Sequence, residues 1–205
     1  MRALLSGDAE AAEALATLVG ELETRTDAEI VVVIAARSDA YRDRSLAGAS
    51  LLALALGAVH LLGPWWISPG WFLVDLVAVG VIADRVLRWP GPVRRLVPAA
   101  LRAERVDRAA RAAFVEEAVH GTPNRTGVLV YASALEDRVV LVPDLGIDGL
   151  VPRGELGRVQ TALEASGCDG LEAGLRALGE VLARRVPHTA QSDATDLPNA
   201  PRIRP

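Results

Sequence analysis

The sequence predicts an α/β protein. The expected fold is an α/β/α sandwich with a small mixed sheet, interrupted by a two-helix transmembrane hairpin. Two short β-branched runs, Glu29-Ile30-Val31-Val32-Val33-Ile34-Ala35 and Gly127-Val128-Leu129-Val130-Tyr131-Ala132-Ser133, are apolar without alternation. That is the pattern of strands covered on both faces. Amphipathic helical spacing flanks both runs. Between them lie two long apolar segments, Leu46 to Leu62 and Trp71 to Leu87, separated by a Gly/Pro/Trp turn.

The chain opens with Ser6-Gly7-Asp8, which offers N-cap oxygens. Ala11, Leu15, Leu18, Val19 and Leu22 then follow at helical spacing, with Glu10, Glu13, Glu21 and Glu23 on the other face. The start MRALLSGDAEAAEAL carries acids where a signal peptide needs an apolar region, so no cleaved signal is expected. Thr24 to Asp27 breaks this helix, and the first strand follows. Arg37-Ser38-Asp39 at its end reads as a solvated connector or as the rim of a ligand crevice. Such crevices lie at the carboxyl ends of strands.

Each long apolar segment has 17 residues. At about 1.5 Å per residue each extends roughly 25 Å, short but sufficient with its flanks for a hydrocarbon core of about 30 Å. Trp65, Trp66, Trp71 and Trp89, all the tryptophans of the chain, fall at the predicted ends. Indoles prefer that headgroup level. Arg37, Arg42 and Arg44 flank one outer end, and Arg85, Arg88, Arg94 and Arg95 flank the other. The connecting loop is uncharged. Both termini are therefore placed in the cytoplasm of an inner-membrane protein with two spans. The soluble alternative, a buried helical hairpin, needs a core that the remaining chain is too short to wrap around two all-apolar helices.

His60 and Asp75 are polar residues inside these segments, at similar depth if the turn lies near residue 67. A polar group in lipid needs a partner. Either the two face each other across the hairpin or each reaches the interface independently. No further acid or His lies deeper to form a proton relay.

After Trp89-Pro90-Gly91-Pro92 a helical pattern resumes. Pro98 divides it into a juxtamembrane piece and a helix from about Ala99 to Val119. Gly127–Ser133 and Arg138–Pro143 then form a β-hairpin. Helices are predicted at about 153–165 and 170–185. Residues 187–205, rich in Pro and small polar side chains, are expected to be a disordered tail. Three strands are evident, and a fourth is sought near Leu150-Val151. The organisation is thus 1–44 and 90–186 as two parts of one domain, with 45–89 as the membrane hairpin. The first strand must reach across the insertion to pair with Gly127–Ser133.

Composition is 51% apolar and 4% aromatic, and the formal net charge is −4. That balance hides an asymmetry. Residues 85–111 hold eight Arg against only Glu104 and Asp107. This basic block suits anionic headgroups, reached by Arg85, Arg88, Arg94 and Arg95, at on the order of 1 kcal/mol per charge. It adjoins a membrane segment and lacks interleaved aromatics, so nucleic-acid binding is not expected. Cys168 is the single cysteine, which excludes an internal disulfide and a thiolate metal site.

One constellation has a family likeness. His120-Gly-Thr122-x-x-Arg125-Thr126-Gly127-Val-Leu-Val-Tyr-x-Ser133, then Glu136-x-Arg138-Val-Val and Asp144-x-Gly146-Ile147, resembles the TPM domain family. It is more closely similar to the bacterial membrane branch, in which a transmembrane hairpin interrupts the domain. Glu29-Ile-Val-Val-Val with Arg37-Ser38-Asp39-x-Tyr41 also fits that branch, and the likeness covers roughly residues 8–185. The resemblance implies an α/β/α sandwich. It brings links to photosystem repair, a proposed phosphatase activity and divalent-metal binding in some members. Relatives without the hairpin often place the domain outside the cytoplasm, whereas the Arg distribution here argues for the inside.

Asp144 and Asp148 are hard-oxygen candidates for Ca²⁺ or Mg²⁺, or else turn-forming and capping acids. His120, Thr122 and Arg125 are anion-binding candidates, since Arg suits phosphate oxygens. Alternatively Arg125 pairs with Glu136 or with an acid of the neighbouring helix, and Thr122 acts as a cap. No Cys-x₅-Arg, Asp-x-Asp or Gly-rich phosphate loop is present. The sequence therefore favours a membrane-anchored interaction or scaffold module with a protein partner. A metal-dependent phosphatase at the membrane surface and a divalent-metal or small-ligand sensor are the alternatives.

Overall fold

The computed structural model describes residues 2–6, 8–64, 68–122, 124–189 and 198–204. In chain order the elements are α1 (Arg2–Leu5), α2 (Ala9–Glu23), β1 (Glu29–Ala35), α3 (Arg42–Leu62), α4 (Pro69–Leu87), α5 (Pro90–Leu96) and α6 (Ala99–Glu116). Then come β2 (Gly127–Ser133), β3 (Arg138–Pro143), α7 (Leu145–Leu150), α8 (Arg153–Ser166), α9 (Leu171–Arg185) and β4 (Arg202–Arg204). The chain divides into two compact units, one of Met1–Ser38 with Ala103–Pro205 and one of Asp39–Arg102.

The first unit is built on a mixed sheet, ordered β3-β2-β1-β4 among the described residues. β1 and β2 run parallel, in register from Glu29↔Gly127 to Ala35↔Ser133, although 91 residues of sequence separate Ala35 from Gly127. β2 and β3 form the antiparallel hairpin, from Val128↔Pro143 to Ser133↔Arg138. Every residue of β1 and β2 is buried. Alternation explains this, because successive side chains point to opposite faces. Ile30, Val32, Ile34, Val128 and Val130 face α2, α8 and α9. Val31, Val33, Leu129 and Tyr131 face Val106, Ala110 and Ala113 of α6. Each such side chain contributes about 1.5–3 kcal/mol on burial. α2 begins where its cap dictates, with the Asp8 carboxylate accepting from the Glu10 and Ala11 amides.

Two sequence expectations about the last strand fail. Leu150-Val151 supplies no strand. Leu150 ends α7, whose cap Val151 donates its amide to Ile147. The fourth strand lies inside the expected disordered tail, where Arg202–Arg204 pairs in parallel with Val33–Ala35. Upstream, Pro187 bridges Thr26 and the Thr26 hydroxyl donates to the Val186 carbonyl at 2.6 Å.

In the second unit α3 and α4 pack antiparallel. Gly48 lies against Leu87, and Gly57 against Phe72 and Leu76. α3 buries only Ser45, Ala49 and Gly57, and α4 buries nothing. Among the described residues one helix, α3, is long and apolar enough to cross a membrane. α4 carries Asp75 and Asp84 within its apolar run. Gly63 ends α3 and Pro69 starts α4. Trp65 and Trp66, and the expected turn near residue 67, lie outside the described residues. Val97, extended ahead of Pro98, separates α5 from α6.

Candidate functional site at the two ends of the parallel strands

The parallel pair β1/β2 has a polar cluster at each end. At the amino end of β2, Arg125 meets Asp144. The Arg125 Nε and Nη2 donate to the two carboxylate oxygens at 2.7 and 2.8 Å. This is the bidentate geometry that makes such pairs strong. The Asp144 side chain is almost fully buried while that of Arg125 is half exposed. Asp144 also caps α7, accepting from the Leu145 amide at 2.8 Å. Burial pushes the Asp144 carboxyl up. The hydrogen bonds from Arg125 and Leu145, with the charges of Arg125 and His120, outweigh it and hold the group below its ordinary value of 3.8.

The backbone fixes this pair. The β2–β3 register continues past both strands. Asp144 donates its amide to the Gly127 carbonyl, and Gly146 donates to the Arg125 carbonyl, each at 2.9 Å. Arg125 takes a left-handed conformation, φ 57°. A Cβ on Gly146 would fall against the Asn124 carbonyl oxygen and 2.6 Å from that of Arg125. Only glycine fits so close a backbone approach.

These facts revise the sequence-level sites. Arg125 pairs with neither Glu136 nor a neighbouring-helix acid; its partner is Asp144. Asp144 acts as a cap and ion-pair acceptor with both oxygens engaged, and Asp148 is exposed one helical turn on. No group of three or more His, Cys, Asp or Glu suited to a metal occurs among the described residues. The donor set at Asp144 and Asp148 therefore does not fit Ca²⁺ or Mg²⁺, which take 6–8 or about six oxygens. His120 is exposed, with its ring 6.3 Å from that of Phe114. Thr122 is buried and follows the 3-10 turn Val119–Gly121 as its C-cap residue. Its hydroxyl has no hydrogen-bond partner among the described residues. His120, Thr122 and Arg125 thus share one corner, but the Arg125 fork is already filled by a carboxylate.

The carboxyl end holds a second cluster that the sequence only half revealed. The register sets Ala35 beside Ser133, and the chain after β1 turns so that Ser38 reaches the same spot. The Ser38 hydroxyl lies 2.9 Å from that of Ser133 and 3.4 Å from that of Tyr131. The Ser38 amide donates to both Glu136 oxygens at 3.3 Å, and the Ser133 hydroxyl donates to Glu136 as well. Ser133 and Glu136 are buried, and burial pushes the Tyr131 phenol up. Of Arg37, Ser38 and Asp39, it is Ser38 that supplies hydrogen bonds to this cluster. Asp39 instead accepts from the Tyr41 amide at 3.1 Å, inside the other unit. The period-2 register linking Ala35 to Ser133 was the signal for Ser133 and Glu136. Cys168 lies nearby, its thiol 3.3 Å from the Ser133 carbonyl. Burial and the Asp137 carboxylate push that thiol up to about 12, so it is no nucleophile.

In the helical unit, His60 Nε2 lies 3.8 Å from Asp75 and His60 Nδ1 3.1 Å from the Leu56 carbonyl. The two side chains face each other as one sequence reading had it. Arg88 is engaged by Asp84 at 2.5 Å and by the Ser45 hydroxyl at 3.3 Å, while Arg85, Arg94 and Arg95 are exposed.

Comparison with known protein families gives no match, and neither does comparison with curated proteins. The fold has a solved counterpart. The BA42 protein of the psychrophilic bacterium Bizionia argentinensis, solved by NMR, is similar over 95% of this chain and 93% of its own, with a TM-score of 0.55 at 17% identity. At that identity the likeness is one of fold alone.

Proposed function

We propose that this chain is a membrane-anchored interaction module. In this reading α3 and α4 form a hairpin in the inner membrane, and the sheet unit, of TPM-like type, docks a protein partner at the cytoplasmic face. The observation that carries the reading is the surface of the helical pair. Leu51, Leu54, Leu61, Leu62, Trp71 and Val77 are each between 65% and 87% exposed. Apolar patches of that extent on a water-facing protein mark an interaction or membrane surface. The exposed Arg85 in the last turn of α4, with Arg94 and Arg95 of α5, supplies the cationic flank that positive-inside topology requires. Asp75, half exposed, has His60 to face, which lowers the cost of a carboxylate near the outer leaflet.

Among its described residues the sheet unit has no evident catalytic constellation. In its two polar clusters the charged groups are engaged internally, Arg125 by Asp144 and Glu136 by Ser133 and the Ser38 amide. This favours a docking role over a metal-dependent phosphatase. Carbonate extraction of cell membranes, followed by affinity capture from the detergent-solubilised fraction, tests the proposal. Retention in the membrane pellet with a stoichiometric protein partner is expected. Release into the carbonate supernatant overturns the anchor. Phosphomonoester hydrolysis lost in both Asp144→Ala and Asp148→Ala overturns the non-catalytic role.

A further inference from the structure

The C-terminal strand occupies a place that its own sequence explains poorly. β4 has only three residues, Arg202-Ile203-Arg204, bounded by prolines. It is set against β1 at Val33, Ile34 and Ala35, with the Ala36 amide donating to the Arg204 carbonyl at 2.9 Å. Its side chains do the rest. Residues two apart on a strand point the same way, and here both arginines find the acidic end of α6. Arg202 Nε donates to Glu117 at 3.1 Å. Arg204 donates to Glu116 at 2.6 Å and to Glu117 at 2.7 Å. Ile203, between them, is 41% exposed. Asn199 lies over Gly20 of α2, where a Cβ would be 3.1 Å from its side-chain nitrogen.

Three features set this contact apart from an ordinary edge strand. It is short, and its ion pairs are partly exposed, so each contributes little. It joins the β1 edge late, since the parallel pairing begins at Val33 and does not include Val31 or Val32. It also covers a strand edge that, uncovered, is a template for an added strand. The covering segment shows which chemistry the edge accepts: main-chain hydrogen bonds in parallel, with a cation at alternate positions facing two carboxylates.

We propose that the outer edge of β1, with Glu116 and Glu117, is a docking groove for an extended Arg-x-Arg peptide of another protein, and that residues 202–204 fill it in cis as a gate. A partner peptide continuing past the Val33 position adds a pairing opposite Val32 that β4 does not use, the Ile30 amide beyond it being held by Glu23. An identical segment from a second copy has no such advantage over the tethered one, whose effective concentration is high. The inference deepens the interaction-module reading and names its partner's chemistry. The two fail separately. A chain that binds the peptide but leaves the membrane in carbonate loses only the anchor, and a membrane-bound chain that ignores the peptide loses only the groove.

The test uses the full chain in detergent and a fluorescent synthetic peptide with the sequence of residues 198–205. Wild type should bind it weakly. The double variant Arg202→Gln with Arg204→Gln, its gate loosened, should bind roughly tenfold more tightly or better. Hydrogen exchange should show its Ala36 amide opening faster at an unchanged melting temperature of the sheet unit. Adding Glu116→Gln and Glu117→Gln should abolish the gain, as should Gln in place of both arginines of the peptide. Equal affinity for wild type and the loosened chain, or no binding to the latter, overturns the proposal. So does an Ala36 amide that exchanges no faster, since the ion pairs then do not hold the gate. A wild-type dimer that dissociates in the Arg202→Gln, Arg204→Gln chain also overturns it, by giving the groove to a second copy.

Discussion

Val32 of β1 and Val77 of α4 are the same side chain in opposite surroundings, 1% and 65% exposed. The contrast runs through both units. In the sheet unit every β1 and β2 residue is buried by helices on both faces. In the helical unit α4 buries none of its residues, although its run is among the most apolar stretches of the chain. Composition is thus no guide to where the core lies. What separates the two is whether the chain itself supplies a cover. Strands obtain it from amphipathic helices, whose apolar stripes match the sheet. The helical pair leaves large apolar side chains of both helices exposed, and in the bilayer reading lipid supplies their cover.

Matched substitutions test this most severely. Val32→Asp buries an unpaired charge and should cost more than about 4 kcal/mol, enough to unfold a typical domain. Val77→Asp should leave the melting of the sheet unit within about 0.5 kcal/mol of wild type, as surface changes do. In the bilayer reading its effect appears elsewhere, as a loss of membrane retention reflecting roughly 2.5–3.5 kcal/mol of insertion cost. Circular dichroism melts in detergent and carbonate extraction read the two effects separately. Similar melting losses in both variants would break the comparison, because Val77 would then be packed inside protein.

Next in size is Gly146→Ala. The new methyl meets two backbone carbonyls, which cannot swing away as a side chain can. A cost of about 2–3 kcal/mol is expected, seen as a lower denaturant midpoint with an unchanged slope. The helical unit offers a control. Gly80→Ala meets nothing within 4 Å, and alanine favours helix by about 1 kcal/mol. It should therefore be neutral or stabilising.

A smaller effect belongs to Asp144. Asp144→Ala removes the α7 cap and should cost about 1–2 kcal/mol. The same carboxylate gives the sheet unit an acid-sensitive limb. Its folded-state pKa is depressed below 3.8, so its contribution is complete above that ordinary value and is lost as pH falls through the lower, folded-state one. Wild type should lose stability over that acid window, and the limb should be shallower in Asp144→Asn. Equal limbs in urea melts between pH 5 and pH 2 would show that the Arg125 pair does not couple to folding.

The same division governs what could be read from sequence. β1, β2 and β3 were legible to the residue because a continuous β-branched run admits few alternatives. The β1–β2 pairing followed from two buried strands needing neighbours. β4 was not legible, since Arg-Ile-Arg between prolines has no propensity signal and exists only through an edge and two glutamates far away in sequence. The Arg125–Asp144 pair was half legible. Both residues stood out, but their pairing depends on carrying the hairpin register three positions past Val128↔Pro143, where Gly146 bonds Arg125. In the same way Ser38 stood out alone, while Ser133 and Glu136 joined it only through the strand register.

The finest test compares two equally exposed leucines. Leu54 of α3 and Leu145 of α7 are both 71% exposed. Either can become the reactive cysteine, because the native thiol is silent: Cys168 is buried, its pKa is pushed up to about 12, and it should not react at pH 8. Both substitutions trade one exposed apolar side chain for a smaller one, so stability should change by less than about 0.5 kcal/mol. In vesicles opened by freeze–thaw, a charged thiosulfonate should modify Leu145→Cys rapidly and leave Leu54→Cys untouched until detergent denaturation. In the bilayer reading water reaches the first and lipid shields the second. Equal labelling would place Leu54 in water, and the helical pair would then need a protein partner rather than a bilayer to cover it.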